Sequence, residues 1–137
     1  MNPVNETDSA LTELGKFFKI AGARATAGLP APQMFSRAVD KAWHRLTENP
    51  AEHAAFTTEY AGRTLGHAES GGEGWIDWVS AYTEAYGPLP EIWFTDADGT
   101  LDTELLGRYR ETGKVWAEWD CSPVPDDGDV APAASYL

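Results

Sequence analysis

Cysteine is almost missing from this chain: Cys121 is the single one in 137 residues. One thiol can build neither a disulfide framework nor a cysteine-based zinc site. Basic residues are scarce as well, 10 Lys and Arg against 22 Asp and Glu, for a net charge of −12. A nucleic-acid binder needs a basic footprint to displace counterions, and an anionic membrane surface repels an acidic protein, so neither partner is expected. The acidity serves solubility first, and any protein partner chosen by charge is a basic one. No apolar run reaches the ~18 residues of a membrane span. The opening MNPVNETDSALTEL has neither the positive nor the apolar region of a secretory signal, which makes a cytoplasmic location the expectation. A serine elbow, a glycine-rich phosphate loop and an HExxH helix are also lacking, so no familiar catalytic signature is on view.

Aromatic residues, in contrast, are abundant. Six Trp, five Tyr and five Phe supply large side chains for a core. Leu11, Leu14, Phe17, Phe18 and Ala21 recur at helical spacing and predict a helix over roughly 9–25. Phe35, Ala38, Val39, Ala42, Trp43 and Leu46 predict a second over 32–47, with Pro32 in its first turn. Asn49-Pro50-Ala51-Glu52 reads as an N-cap, a proline at the first helical position and a capping-box glutamate, opening a third helix that Gly62 stops near Ala61. GHAESGGEG, residues 66–74, reads as a loop, and Trp75, Trp78, Val79, Tyr82 and Tyr86 as one face of a fourth helix. A short helix follows within LDTELLGRYRETG, ending near Gly113. The expected fold is mainly α: a small domain of four to five helices over 1–121, with a short two-stranded β element near 91–94 and 114–119. Residues 122–137, rich in Pro, Gly and acid, are expected to form an extended tail outside the core.

The stretch FTDADGTLD, residues 94–102, resembles the nucleophile loop of haloacid dehalogenase-like phosphatases, which would make Asp96 the nucleophile and Asp98 the acid/base. The context argues otherwise. In those enzymes a doubly wound parallel sheet follows the loop, whereas 38 residues follow Gly99 here, and each parallel crossover takes about a dozen residues or more. An EF-hand register fails too. With Gly99 at its sixth position, Phe94 and Leu105 occupy the first and twelfth, which should be ligands. Asp and Gly here predict a turn, with Asp98 or Thr100 capping the helix beyond it. A weak cation site between Asp96 and Asp98 stays open as an alternative.

The second conspicuous stretch is AVDKAWHRLTENPAEHAAFTTEYAGRTLGH, residues 38–67. Its Asp40, Trp43 and His44, followed by Phe56 and then by Gly62, Leu65 and His67, resemble the glycine-rich domain-containing protein-like family with its Asp-x-x-Trp-His helix. His53 stands where that pattern has a tyrosine, Thr57 where it has a cysteine, and Gly66 in place of a first histidine. WIDWVSAYTEAYGPLPEIW continues the likeness to about residue 93. The resemblance implies a small helical domain, found alone in bacteria and fused to other domains in plants, with a signalling or binding role suggested and no settled chemistry.

The residues also pose a question of their own. Asp40 and His44, four apart, share a helix face pointing away from the apolar stripe on which Trp43 borders. Three readings are open. His44 ties helices two and three together by a hydrogen bond to the loop around His67 or to a backbone carbonyl; His44, His67 and a carboxylate such as Asp40 hold zinc or another divalent metal; or Asp40 activates a histidine for acid/base work. His53 shares a face with Phe56 and Tyr60 and is expected to pack. The resulting expectation is a non-catalytic helical module that binds another protein, with no cofactor. The alternative is a small metal-binding protein or metal-dependent enzyme built on His44 and His67.

Overall fold

A computed structural model describes residues 6–125. Helix α1 (Glu6–Thr26) runs through the middle and contacts most other elements. Its Leu14, Phe17 and Phe18 are wholly inaccessible, as their i, i+3, i+4 spacing predicts. Helix α2 (Arg37–Thr47) begins five residues later than its apolar stripe suggests. Ser36 outcompetes Pro32 as the start: its hydroxyl accepts from Val39 N at 3.2 Å and donates to the Ile92 carbonyl at 2.9 Å. The residues before it are drawn out instead, so that Met34 N reaches the Cys121 carbonyl.

Helix α3 (Pro50–Ala61) has the expected caps. The Asn49 side chain accepts from Glu52 N at 3.2 Å, and Gly62 ends the helix at φ 77. The fourth helix, α4 (Val79–Tyr86), is shorter than expected, with Trp78 buried at its N-cap and Trp75 left outside it. Helix α5 (Thr103–Thr112) is capped by Asp102, which accepts from Leu105 N at 3.0 Å, rather than by Asp98 or Thr100.

The β structure departs most from expectation. Residues 91–94 form a 3-10 helix, Glu91–Phe94, and not a strand. The true partner of the strand near 114–119 is the glycine-rich stretch expected to be a loop. Strand β1 (Leu65–Trp75) pairs antiparallel with β2 (Trp116–Pro125), from Leu65 opposite Pro125 to Trp75 opposite Trp116, with one irregularity between Glu69 and Gly72. The glycines that hide this strand are what permit it. The Trp119 ring lies across Gly72, where a Cβ would sit 2.5 Å from a ring carbon.

Residues 122–125, assigned by composition to the tail, therefore belong to the sheet, and Ser122 and Pro123 are buried. The remainder of the expected tail, 126–137, lies outside the described residues. Truncation after Cys121 should consequently lower the melting temperature by several degrees, since about 1 kcal/mol corresponds to roughly 3–6 °C at this size. An unchanged melting curve would show that the end of β2 contributes nothing.

The core is an aromatic cluster around Phe17, whose ring centroid lies 6.1 Å from Trp43, 5.3 Å from Trp78 and 5.8 Å from Trp93. A buried indole must still place its N–H. Trp43 donates to His53 Nε2 at 3.0 Å, Trp78 to the Gln33 carbonyl at 2.8 Å, and Trp93 to Glu13 Oε1 at 2.9 Å. Among the described residues no helix is long and apolar enough to cross a membrane.

Candidate metal-binding site

Two side chains of the sheet, His67 and Cys121, reach Asp40 on the polar face of α2. Asp40 stands in the first turn of the helix, where the helix dipole favours a carboxylate, and His44 in the last turn, where it favours a cation. The start of β1 is held to α3 by Leu65 N, which donates to the buried Thr57 hydroxyl at 3.2 Å. Strand alternation then turns Leu65 and His67 to the same side, toward α2. His67 meets Trp43 at a centroid separation of 4.3 Å and an interplanar angle of 75°. The side of the Trp43 ring away from the core thus forms a wall that holds His67 against Asp40.

The two histidines address one carboxylate from two elements. His67 Nε2 is 3.2 Å from Asp40 Oδ1, and His44 Nε2 is 3.2 Å from Asp40 Oδ2. The two imidazole centroids are 4.5 Å apart. Donor atoms of Asp40, His44 and His67 all lie within 4.8 Å of one another. Asp40 and His67 are mostly covered, with side-chain exposures of 19% and 17%, whereas His44 is 60% exposed and leaves one side of the cluster open to water. Of the residues singled out beforehand, Asp40, His44 and His67 are brought together. Trp43 is fully buried beneath them, and His53 is packed as expected, accepting the Trp43 indole proton. The tie runs from α2 to the sheet rather than from α2 to α3.

One further group reaches the site unforeseen. Cys121 on β2, 81 residues from Asp40 in the chain, donates its thiol proton to Asp40 Oδ1 at 3.1 Å. Burial pushes this thiol up from its ordinary 9.0, and the hydrogen bond to Asp40 adds to the shift. Tyr82 is likewise raised from 10.0, by burial first and then by its bond to Glu13. Both groups keep their protons in the folded chain at pH values where the unfolded chain has released them. Their stabilisation is present below about pH 9 and is lost as pH rises beyond it. Native Cys121 should accordingly resist a thiol-disulfide reagent at pH 8 and react fully in denaturant. Rapid labelling of the native protein would contradict the buried, protonated thiol.

The Asp96 loop is a turn. Asp96 Oδ1 accepts from the backbone N–H of Asp98 at 3.1 Å and of Thr100 at 3.0 Å, and Asp98 Oδ1 accepts from the Thr100 hydroxyl at 2.7 Å. The Asp98 carboxyl is held below its usual range, by its hydrogen bond with Asp96 first and by Thr100 next. Both carboxylates are engaged by their own loop, so the purified protein is expected to leave a generic phosphomonoester intact. Hydrolysis lost in Asp96→Asn would contradict that.

Comparison with protein-family models, with curated proteins and with solved structures finds no match to this chain.

Proposed function

We propose that this protein binds a divalent transition metal, with zinc as the reference ion, through Asp40, His44 and His67. The observation that carries the reading is the geometry of the donors. Zinc holds imidazole nitrogen and carboxylate oxygen at about 2.0–2.2 Å, so two ligands at a tetrahedral angle stand roughly 3.4 Å apart. The two histidine–carboxylate separations of 3.2 Å, one to each oxygen of Asp40, are within a few tenths of an ångström of that value, and the whole donor set, within 4.8 Å, closes on an ion by a small shift of the exposed His44. Two imidazoles and one carboxylate suit zinc, or iron(II) in a facial triad, and a site with three protein ligands keeps a position for water or substrate. The exposed flank at His44 is where that position would lie. Each Nε2 must present a lone pair to the ion, so binding releases whatever proton it carries toward Asp40. Asp40, Trp43, His44 and His67 are also among the residues behind the resemblance to the glycine-rich domain-containing protein-like family, whose pattern has a cysteine and a first histidine where this chain has Thr57 and Gly66. On this reading they are the ligands and the wall beneath them.

A purely structural role for His44 is the weaker account on energetic grounds. An i, i+4 pair whose histidine is 60% exposed adds only about 0.3–0.5 kcal/mol. That is little reason for an imidazole at this position.

The test is a set of melting curves on untagged protein, wild type and His44→Ala, each with zinc and with chelator. Zinc at 100 times its dissociation constant should raise wild-type stability by about 2.7 kcal/mol, chelator should remove that gain, and His44→Ala should lose most of it. Calorimetric titration should give one zinc per chain. Identical melting of wild type with zinc and with chelator would leave the cluster as a hydrogen-bonded tie. A protein-binding module is the second reading, and the observation favouring it is a pair of tryptophans left at the surface: Trp75 is 56% exposed and Trp116 48%.

A further inference from the structure

The far end of the sheet leaves two tryptophans at the surface. Trp75 and Trp116 face each other across the two strands, centroids 5.1 Å apart and rings perpendicular. One step along, Glu73 stands opposite Glu118. Strand alternation puts all four side chains on the outer face, because Ala117 and Trp119, which alternate with Trp116 and Glu118, pack inward against the core. Like charges directly opposite each other destabilise a strand pair, and large apolar rings gain nothing from water. Both costs are removed by one kind of ligand: a cation with an apolar body.

The surface already receives a cation from its own chain. The Lys114 ammonium lies 6.0 Å from the Trp75 ring centroid. The Trp116 indole donates to Glu73 Oε2 at 3.2 Å, which fixes that carboxylate beside the ring. Next to the pair is a groove of about 250 Å³, lined by Trp75, Ile76, Val79 and Val115 and edged by Asp77 and Lys114. Its walls are largely apolar, and its edge carries one acid, Asp77, and one base, Lys114.

We infer that the Trp75–Trp116 face is a docking surface for an arginine-bearing segment of a partner protein. A guanidinium stacks on an indole face while its N–H groups bond a carboxylate, a combination that an ammonium or a neutral side chain does not match. Glu73 and Glu118 supply the carboxylates, and the groove beside Val79 and Val115 takes the apolar part of the segment. The net charge of −12 draws a basic partner to the molecule as a whole. The aromatic pair determines where on it the partner settles. This surface is separate from Asp40, His44 and His67, so the inference stands or falls independently of metal binding.

The indole N–H resonances of the full chain provide the test, at physiological salt, with a synthetic nonapeptide of alternating arginine and leucine as the probe. The Trp75 and Trp116 signals should shift and saturate, while those of the buried Trp43, Trp78 and Trp93 stay in place. A peptide with lysine for arginine should bind roughly threefold to tenfold more weakly, and one with glutamate should not bind. Glu73→Gln with Glu118→Gln should weaken the arginine peptide by a similar factor. Trp75→Ala with Trp116→Ala should abolish saturable binding, and because both rings are about half exposed this variant keeps its fold, which its melting curve verifies. Three results would overturn the inference: small shifts spread over all indoles, full affinity in the double-alanine variant, or broadening with protein concentration alone, which would make a second copy of the chain the occupant.

Discussion

Trp43→Ala should lower stability by about 3–5 kcal/mol, the usual cost of truncating a fully buried large aromatic. A chain of this size has about 5–15 kcal/mol in total, so the loss takes a large share of it and would unfold a domain at the low end of that range. Trp43 is wholly inaccessible and serves two neighbourhoods at once. One side meets Phe17 and Phe18, at centroid separations of 6.1 and 5.3 Å. The other supports His67. Its indole N–H also requires His53 Nε2 as acceptor, which places the His53 proton on Nδ1. Trp43→Phe restores part of the core volume and leaves His53 without its donor, so it should cost less than alanine and still loosen His67. Equilibrium denaturation of the two variants orders them. Near-native stability in Trp43→Ala would mean that the cluster collapses around the void, and that the ring is not the support described.

The second large effect is expected at Glu13, a carboxylate buried in the middle of α1. Its Oε1 accepts from the Tyr82 hydroxyl and from the Trp93 indole, and its Oε2 pairs with Lys16 at 3.1 Å. Removing it leaves two buried donors without a partner, each worth about 1–3 kcal/mol. Glu13→Ala should therefore cost roughly 2–6 kcal/mol. Glu13→Gln is the informative companion. Its amide oxygen can still accept from both donors, and the lost pair with the partly exposed Lys16 is worth under about 1 kcal/mol. A Gln variant as damaged as the alanine variant would show that the charge, and not the acceptor, holds α1 to α4 and the 3-10 helix.

The features legible in the chain are those determined within a few residues. Asn49 and Gly62 delimit α3 because a cap bond spans three positions. The turn at Asp96–Thr100 closes on itself through side chains two to four residues away. Trp43 belongs to the core because helical periodicity alone assigns it to the apolar side of α2. The shared face of Asp40 and His44 is equally local.

What brings His67 and Cys121 to that face is not. Strand β1 is glycine-rich and carries no apolar alternation, so nothing within it announces a partner that begins at Trp116. Its pairing is a property of Trp119 lying across Gly72. The same distance hides Glu13, which reads as one more acid on a solvated helix until Tyr82 and Trp93, 69 and 80 residues away, arrive with hydrogen atoms to donate. Local sequence determined α1, α3 with both its caps, and the donor types on α2. Only tertiary structure decided which donors meet, because strand register and the burial of polar atoms are settled by residues far apart in the chain, whose encounter leaves no periodic trace in either segment.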